Sequence, residues 1–588
     1  MLKIKNKKIF STILFLSSLF LYGNYANAEA LNLPKDENGW TIFTPSVDSD
    51  VVYVDSVLGD DVTCRTYRTS DVEMGANPFI PVGPILPCAT SAKAVTFMGG
   101  GQPDWMLYKR GSIFDTGIVY ARSGRSATEP TVVGAYGASG ELPIFRGGYD
   151  NNGNVDTHWL AIAGLDFYAD FRDPNSPNYA GGLDNSVGLW FFSHEQYSMK
   201  GILVEGCKFR FFKDNAFQPV NASDNSGLTI RRNLFADNYS ISSAHSQGLL
   251  VSNFNGLLIE ENVFDHNGWL VQNDSDGIEE VGEATIFNHN TYLTNNKNLI
   301  IRNNIFAQGS SNNSKIKYTQ TGIGTGLVVD NNLYIGGEIA ISIGAPDEHE
   351  IYSVVNPFIA NNVYLKPGYA NPTNREIGWF FYNFNWDGGT VTNNYMLHQD
   401  NDLFGGHFFH LQYSGRNVNV SNNIVYDTKN ITPVYLLPIE TGNPNREGII
   451  FEDNVFDVEN NYIVDASALT DSSGYSFVEN LYYSTKLADT WFRINSSTKT
   501  NEQWMTLSGD NSTFGQKEFT DPSRSIESYM TSIGEIGAIE NFIFKIRSQN
   551  KYNWDNRFAA ENVNSYIKAG FVFDDIFPPS APVGLNVL

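Results

Sequence analysis

Short phrases in which apolar residues recur at every second position, then an Asn, then another apolar residue, run through the middle of the chain. The clearest place Leu228, Ile230 and Leu234 around Asn233, and Leu257, Ile259 and Val263 around Asn262. Leu299, Ile301 and Ile305 around Asn304, and Leu327, Val329 and Leu333 around Asn332, repeat the pattern. A period of two predicts strands and disfavours helical solenoids. The phrase returns at Asn362, Asn394, Asn423, Asn454 and Asn480, and Cys207-Lys208-Phe209 is a looser copy. Counted from 207, the steps are 26, 29, 42, 28, 30, 32, 29, 31 and 26 residues. Units of this length cannot bury their apolar sides alone, so they predict a stacked solenoid. The Leu spacing of a leucine-rich repeat is absent. What remains is an all-β solenoid, a parallel β-helix with coils about 4.8 Å apart and aromatic rings stacked inside. The repeated Asn is expected at a turn, in the left-handed backbone region, with its side chain bonded to the next coil.

The ends of a solenoid need caps. Residues 91–98 have the spacing of a short amphipathic helix, and 525–533, 536–549 and 555–569 could close the last coil. The expected organisation is a signal peptide at 1–28, an N-terminal segment and cap at 29–100, the β-helix at 101–515, a helical cap at 516–573 and an exposed tail at 574–588. The first segment has a basic start, an apolar run from Ile9 to Tyr22 and the cleavage-like Ala26-Asn27-Ala28. That run is short for a membrane span, so a secreted or periplasmic protein is expected. The tail from Phe577 to Leu585 looks like the start of a fibronectin type III module whose remainder is missing.

Composition narrows the partners. The 588 residues include 64 Asp and Glu against 39 Lys and Arg, a formal charge of −25. Removing Lys3, Lys5, Lys7 and Lys8 with the signal segment leaves 35 basic against 64 acidic residues, a charge of −29. Such a surface repels phosphate backbones, which argues against nucleic acid. Three cysteines exclude a disulfide framework or a multi-cysteine metal fold. In an oxidising compartment Cys64 and Cys88 are expected to pair, and Cys207, at an apolar repeat position, reads as a buried core residue.

The ladder, with Tyr53-Val54-Asp55-Ser56-Val57-Leu58-Gly59-Asp60-Asp61 and Asp104-Trp105-Met106-Leu107-Tyr108-Lys109-Arg110-Gly111, resembles the secreted right-handed parallel β-helix proteins of the pectate-lyase-like superfamily. The resemblance runs from about Val51 to Asp521-Pro522-Ser523-Arg524. It implies a carbohydrate-active fold. Lyases, hydrolases, epimerases and adhesins share that fold, so the reaction must be argued from the site.

The 42-residue step between Asn262 and Asn304 inserts a loop on one side of the coil, and insertions on rungs tend to mark the binding face. The segment contains Asp265, His266, Trp269, Asp274, Asp276, Glu279, Glu280 and Glu283, and leads to His289. The next coil carries Asn313-Ser314-Lys315-Ile316-Lys317-Tyr318, and the preceding one His245-Ser246-Gln247-Gly248. Rung alignment predicts these strands to be neighbours in one sheet. If Ser314 and Ile316 face inward, Lys315 and Lys317 face outward beside His289 and His245, a cationic patch suited to an anionic sugar. A uronate lyase needs a base and a neutraliser for the carboxylate. Lys317 or His289 is the expected base, Lys315 the carboxylate partner, and His245, His266, Trp269 and Tyr318 the expected sugar contacts. The similar β-helix lyases use Ca²⁺ with a basic residue, which implies Asp274, Asp276, Glu279, Glu280 and Glu283 as ligands, since Ca²⁺ takes oxygen donors. An inverting hydrolase would instead pair Asp265 with Asp276 or Glu283. A uronate C5-epimerase or a non-catalytic polysaccharide-binding protein is the remaining alternative. Trp379, Tyr382, Trp386, Asp387, His407 and His410 on later coils read first as lateral packing of an aromatic solenoid and second as an extension of an aromatic groove. The expected molecule is a monomeric polysaccharide lyase.

Overall fold

A computed structural model describes residues 29–572, except 121, 182–183, 221–223, 243, 345–351, 400–404, 437–445 and 488. The signal segment and the tail expected from the sequence lie outside the described residues. The chain winds into a right-handed parallel β-helix of about 13 turns. Each coil contributes one strand to each of three faces. One coil runs Ser226–Arg231, Leu234–Ala236 and Gln247–Ser252, and the next runs Asn255–Glu260, Val263–Asp265 and His289–Thr294. The third of this series runs Lys297–Arg302, Ile305–Ala307 and Asn312–Lys317. Adjacent coils pair in parallel and in register, so that Ile230, Ile259, Ile301 and Val329 form one inward row on the first face. All four are fully buried.

Inside the second face the rings of Phe145, Phe167, Phe209, Phe235, Phe264, Phe306 and Tyr334 stack coil upon coil, with centroids 5.0–5.3 Å apart. Offset stacking adds to the gain from burying their area. At the corner between the first and second faces, the repeated Asn side chains form a continuous ladder. Asn262 Nδ2 donates to Ile230 O and to Asn304 Oδ1, and Asn304 repeats this with Ile259 O and Asn332 Oδ1. The left-handed residue is the one before each ladder Asn, not the Asn itself: Glu261, Asn303, Asn331, Asn361, Asn393 and Asn422 have φ of 54–62°, or 53° at Asn331. The turn therefore separates two tasks. The preceding residue absorbs the strained backbone, and the Asn stays buried to satisfy main-chain groups that no strand pairs. A second ladder, Asn238, Asn267, Asn290 and Asn313, holds the corner between the second and third faces.

The C-terminal helices depart from expectation. Ile526–Ser532, Ile539–Ser548 and Ala560–Lys568 do not close the last coil; they pack on the outside of the second face. Their Met530, Phe542, Val563 and Ile567 cover the outward row Leu234, Val263, Ile305, Leu333 and Val363. The first residue after each ladder Asn thus faces the helix side, and the second, an aromatic except at Met396 and Val425, faces the core. The last coil is closed by a helix that the sequence pattern did not reveal, Asn501–Ser508, whose Trp504 stacks on Phe492 at 4.9 Å. Near the other end Ser91–Val95 forms a short helix capped by Thr90. Cys64 and Cys88 are disulfide-linked, and burial pushes the Cys207 thiol up to about 12.

Candidate active site

The third face presents its side chains in a pattern set by the second Asn ladder. Outward positions there are three apart: 289 and 292, 312 and 315, 379 and 382, 407 and 410, because Asn290 and Asn313 turn into the corner and Phe380 and Phe408 turn into the core. Along the axis, Leu250, Tyr292, Lys315, Ser342 and Tyr382 form one outward row by register. His410, Tyr435, Asp465 and Arg493 continue it on later coils.

Lys315 and Lys317 lie on this outer side, as alternation predicts, while Ser314 and Ile316 are buried inward. The Lys315 ammonium sits 5.3 Å from the centre of the Tyr292 ring. Burial, then the charges of Lys317 and Arg375, bring it down to about 8. Neither lysine has a carboxylate partner among the described residues. Arg375 arrives from the loop 367–378, and no sequence signal marked it. Its Nε and Nη2 donate to Glu338 at 3.0 and 2.5 Å, and Nη2 also donates to Ser311 Oγ at 2.6 Å. Glu338 is fully buried, and burial raises its carboxyl pKa although Arg375 opposes this. Thr373 donates to the same carboxylate through its N–H and hydroxyl. The guanidinium is therefore fixed beside Lys315 by a carboxylate that cannot reach solvent.

The other expected site residues are dispersed. His289 pairs with Asn312 in the sheet but is buried, and its Nδ1 accepts the Asn312 backbone N–H at 3.3 Å. Burial, with Lys315, Arg375 and His245, holds its pKa well below the usual range. A sealed, engaged ring cannot reach a substrate proton, so His289 is not the base. Tyr318 is also corrected: it is fully buried in the core and makes no sugar contact. His245 is exposed and stacks on Phe287 at 5.2 Å. His266 and Trp269 lie at the corner facing the second face. His266 Nδ1 is 3.2 Å from Asp237 and its ring 4.1 Å from that of Trp269, whose indole N–H donates to Gln308 O at 2.8 Å. Asp265 is buried and paired with Arg547 of the C-terminal helix at 2.7 Å, with Asp237 sharing that guanidinium. These groups line a cavity of about 340 Å³ beneath the helix. Asp265 thus anchors a helix and is not placed for a hydrolase pair.

The acidic loop borders the third face, where Asn273 N donates to Pro372 O at 2.8 Å. Its carboxylates are not gathered. Asp274 accepts from Asp276 N, Asp276 from Ile278 N and Glu283 from Glu280 N. Among the described residues, three potential ligands come within 4.8 Å of one another only at Asp61, Cys64 and Cys88, and those cysteines form the disulfide. Asp274, Asp276, Glu279, Glu280 and Glu283 therefore do not fit a calcium site as they stand.

Farther along the face, Trp379 stacks on His407 at 4.7 Å, and Tyr382 and Tyr435 lie 5.2 and 5.8 Å from His410. Both histidines are buried and held below their usual range, His410 at about 3. Trp386 is inside the core, and Asp387 pairs with Arg416 at 2.7 Å.

No protein-family model matches the sequence, and no curated protein matches it. Among solved structures the chain is similar to the PL6 family alginate lyase AlyGC, at 12% identity and a TM-score of 0.38, over 74% of this chain and 54% of that one. It is also similar to a mannuronic acid specific family 6 lyase from human gut microbiota, at 12% and 0.37, over 81% and 97%. A third likeness is to the GH136 lacto-N-biosidase from Eubacterium ramulus, at 13% and 0.33, over 80% and 67%. The chain spans about half the length of AlyGC. Likenesses of this size concern the stacked coil alone and leave the reaction to the side chains.

Proposed function

We propose that this protein is a secreted carbohydrate-active enzyme that cleaves a uronate-containing polysaccharide by β-elimination on the third face. The observation that carries the reading is Lys315: a half-buried amine on an outward row, brought down to about 8, with Lys317 and Arg375 beside it. The roles expected from the sequence are exchanged. Lys315 is the base and Lys317 the partner of the uronate carboxylate. The neutral Lys315 amine takes the proton from the carbon next to the carboxylate. The electron pair forms a double bond to the neighbouring ring carbon, the glycosidic C–O bond breaks, and the departing oxygen takes a proton from water while the Lys315 ammonium returns its own to solvent. Charge that builds on the carboxylate during proton removal is stabilised by Lys317 and by the fixed Arg375 charge. Tyr292, Tyr382 and Tyr435 offer rings along the same row, and Trp379 one on the row beside it, for neighbouring sugars.

The test is ultraviolet absorbance of unsaturated uronate, run on a panel of uronate polysaccharides with and without chelator, beside a reducing-end assay. Rising absorbance that is lost in Lys315→Ala supports the reading. Reducing ends without absorbance would assign hydrolysis, and full activity of Lys315→Ala would remove Lys315 from the chemistry.

A further inference from the structure

We propose a second carbohydrate-binding site, for a sugar ring that bears a carboxylate, in a cavity of about 300 Å³ outside the first face. The cavity is enclosed by the N-terminal arm, the outer side of the early coils and the turn that holds Lys551 and Tyr552. Its volume is at the lower end for small-molecule sites, enough for a single ring. Ala163 and Gly206 give it a floor from which no long side chain projects, and Trp40, Phe43 and Phe79 wall it. Trp40 is pre-set: its ring meets that of Trp554 edge-on at 5.5 Å, and the Arg232 guanidinium lies 4.6 Å from it. A preformed aromatic wall costs little to occupy.

The polar groups fix the charge of the ligand. Arg110 donates to Gly137 O at 3.2 Å and to Gly140 O at 2.5 Å, lies 3.4 Å over the Tyr552 ring, and keeps a buried Nε without a partner. Lys551 stands at the same mouth, 6.0 Å from the Trp40 ring. Neither cation has a carboxylate partner among the described residues, on a chain of formal charge −25. Glu205 lines the cavity, but its carboxylate accepts from Arg231 at 2.7 Å and from Thr41 at 3.0 Å. Two unopposed cations beside an aromatic slot match a ring whose apolar face stacks and whose carboxylate meets the guanidinium and ammonium. Choosing a sugar over another ring acid rests on the proposed function. The site itself rests on the cavity and its cations.

The experiment is titration calorimetry on full-length mature protein carrying Lys315→Ala and Lys317→Ala, which removes the base and the carboxylate partner of the third face. The probes are tetrasaccharides of galacturonate, mannuronate and glucuronate, with cellotetraose as the neutral control and benzoate as the non-sugar acid. At least one uronate tetrasaccharide is expected to bind at one site. Adding Arg110→Gln with Lys551→Gln should weaken it at least tenfold. Ala163→Phe, which fills the floor from its outer side, should abolish it with the thermal midpoint unchanged. Binding of no uronate, equal binding of cellotetraose, binding of benzoate alone, or uronate binding indifferent to these substitutions would overturn the proposal. Because turnover is measured separately on the unsubstituted protein, a protein that binds here yet yields no unsaturated uronate keeps this site and loses the third-face reading.

Discussion

The second and third faces share one core but differ on their outer sides. Second-face strands are short and buried on both sides, with a stack of rings within and an apolar row under the C-terminal helices without. Third-face strands are also regular inward, where Val251, Leu293, Ile316 and Ile343 form a buried apolar row by register. Their outward row changes at every coil, from Leu250 through Tyr292, Lys315, Ser342 and Tyr382. A face covered by helices must repeat on both sides, because each outward residue meets the same apolar surface. An uncovered face is constrained on one side only, and its other side is free to carry chemistry. The contrast separates residues that hold the molecule from residues that act.

Substitution on each face should therefore damage different quantities. The largest effect expected is from Lys315→Ala: loss of a general base lowers turnover by about 10²–10⁴-fold, while a substitution on this outer row changes stability by about 0.5 kcal/mol or less. Paired measurements of kcat and denaturant midpoint check both halves. An equal loss of stability would make Lys315 a structural residue and erase the contrast.

Arg547→Ala addresses the second face. Asp265 is 1% exposed, and with Arg547 removed it faces Asp237 without a counter-charge. Breaking a buried pair from one side costs about 3–5 kcal/mol. Burial already pushes the Asp265 carboxyl up, while Asp237 is held below its usual range despite its burial, with help from Arg547, so loss of Arg547 raises both carboxyls. A raised carboxyl favours the folded state only when protonated, so the deficit grows as pH rises through the carboxylate range. Turnover per folded molecule is expected to stay unchanged. A smaller loss is expected from Asn362→Ala within the first ladder. It strands the Asn332 backbone N–H and the carbonyl of Val329, groups that Asn362 satisfies, for about 2–3 kcal/mol. Urea titration at several pH values distinguishes the two variants, since only the Arg547 deficit is pH-dependent.

The inward half of this molecule was legible in the sequence and the outward half only in places. Every ladder Asn and every stacked ring repeats, so the pattern yields coils, register and the outward setting of Lys315 and Lys317. The left-handed turn residue escaped because its identity varies, Glu261 at one coil and Asn303 at the next. The helices on the second face were visible as helices, but their docking surface, Leu234, Val263 and Ile305, reads like any core position. Arg375 and Glu338 meet only when the loop 367–378 folds back, and sequence spacing holds no trace of that contact. Tyr318 was misjudged because being near a groove strand does not tell which side of it a ring occupies, and His289 because an outward position can still be covered, here by Asn312 and Tyr292.

The sharpest test of the third face uses charge alone. Lys315 accepts a proton only when neutral, so kcat/KM of the free enzyme should rise with pH and level off above about 8. Burial is the main cause of the lowered value, with Lys317 and then Arg375 adding like-charge repulsion. Lys317→Ala removes one of those charges, the ammonium of Lys315 becomes easier to hold, and the rising limb should move to higher pH by about one unit or less. The same substitution removes the partner of the uronate carboxylate, so the plateau should fall as well. Arg375→Gln should move the limb in the same direction, but it also leaves Glu338 buried without its counter-charge and lowers the denaturant midpoint, which Lys317→Ala should not. A plateau that falls while the limb stays fixed in both variants would mean that the titrating base is not Lys315. The third face would then keep its cations as a binding surface and lose its claim to the proton transfer.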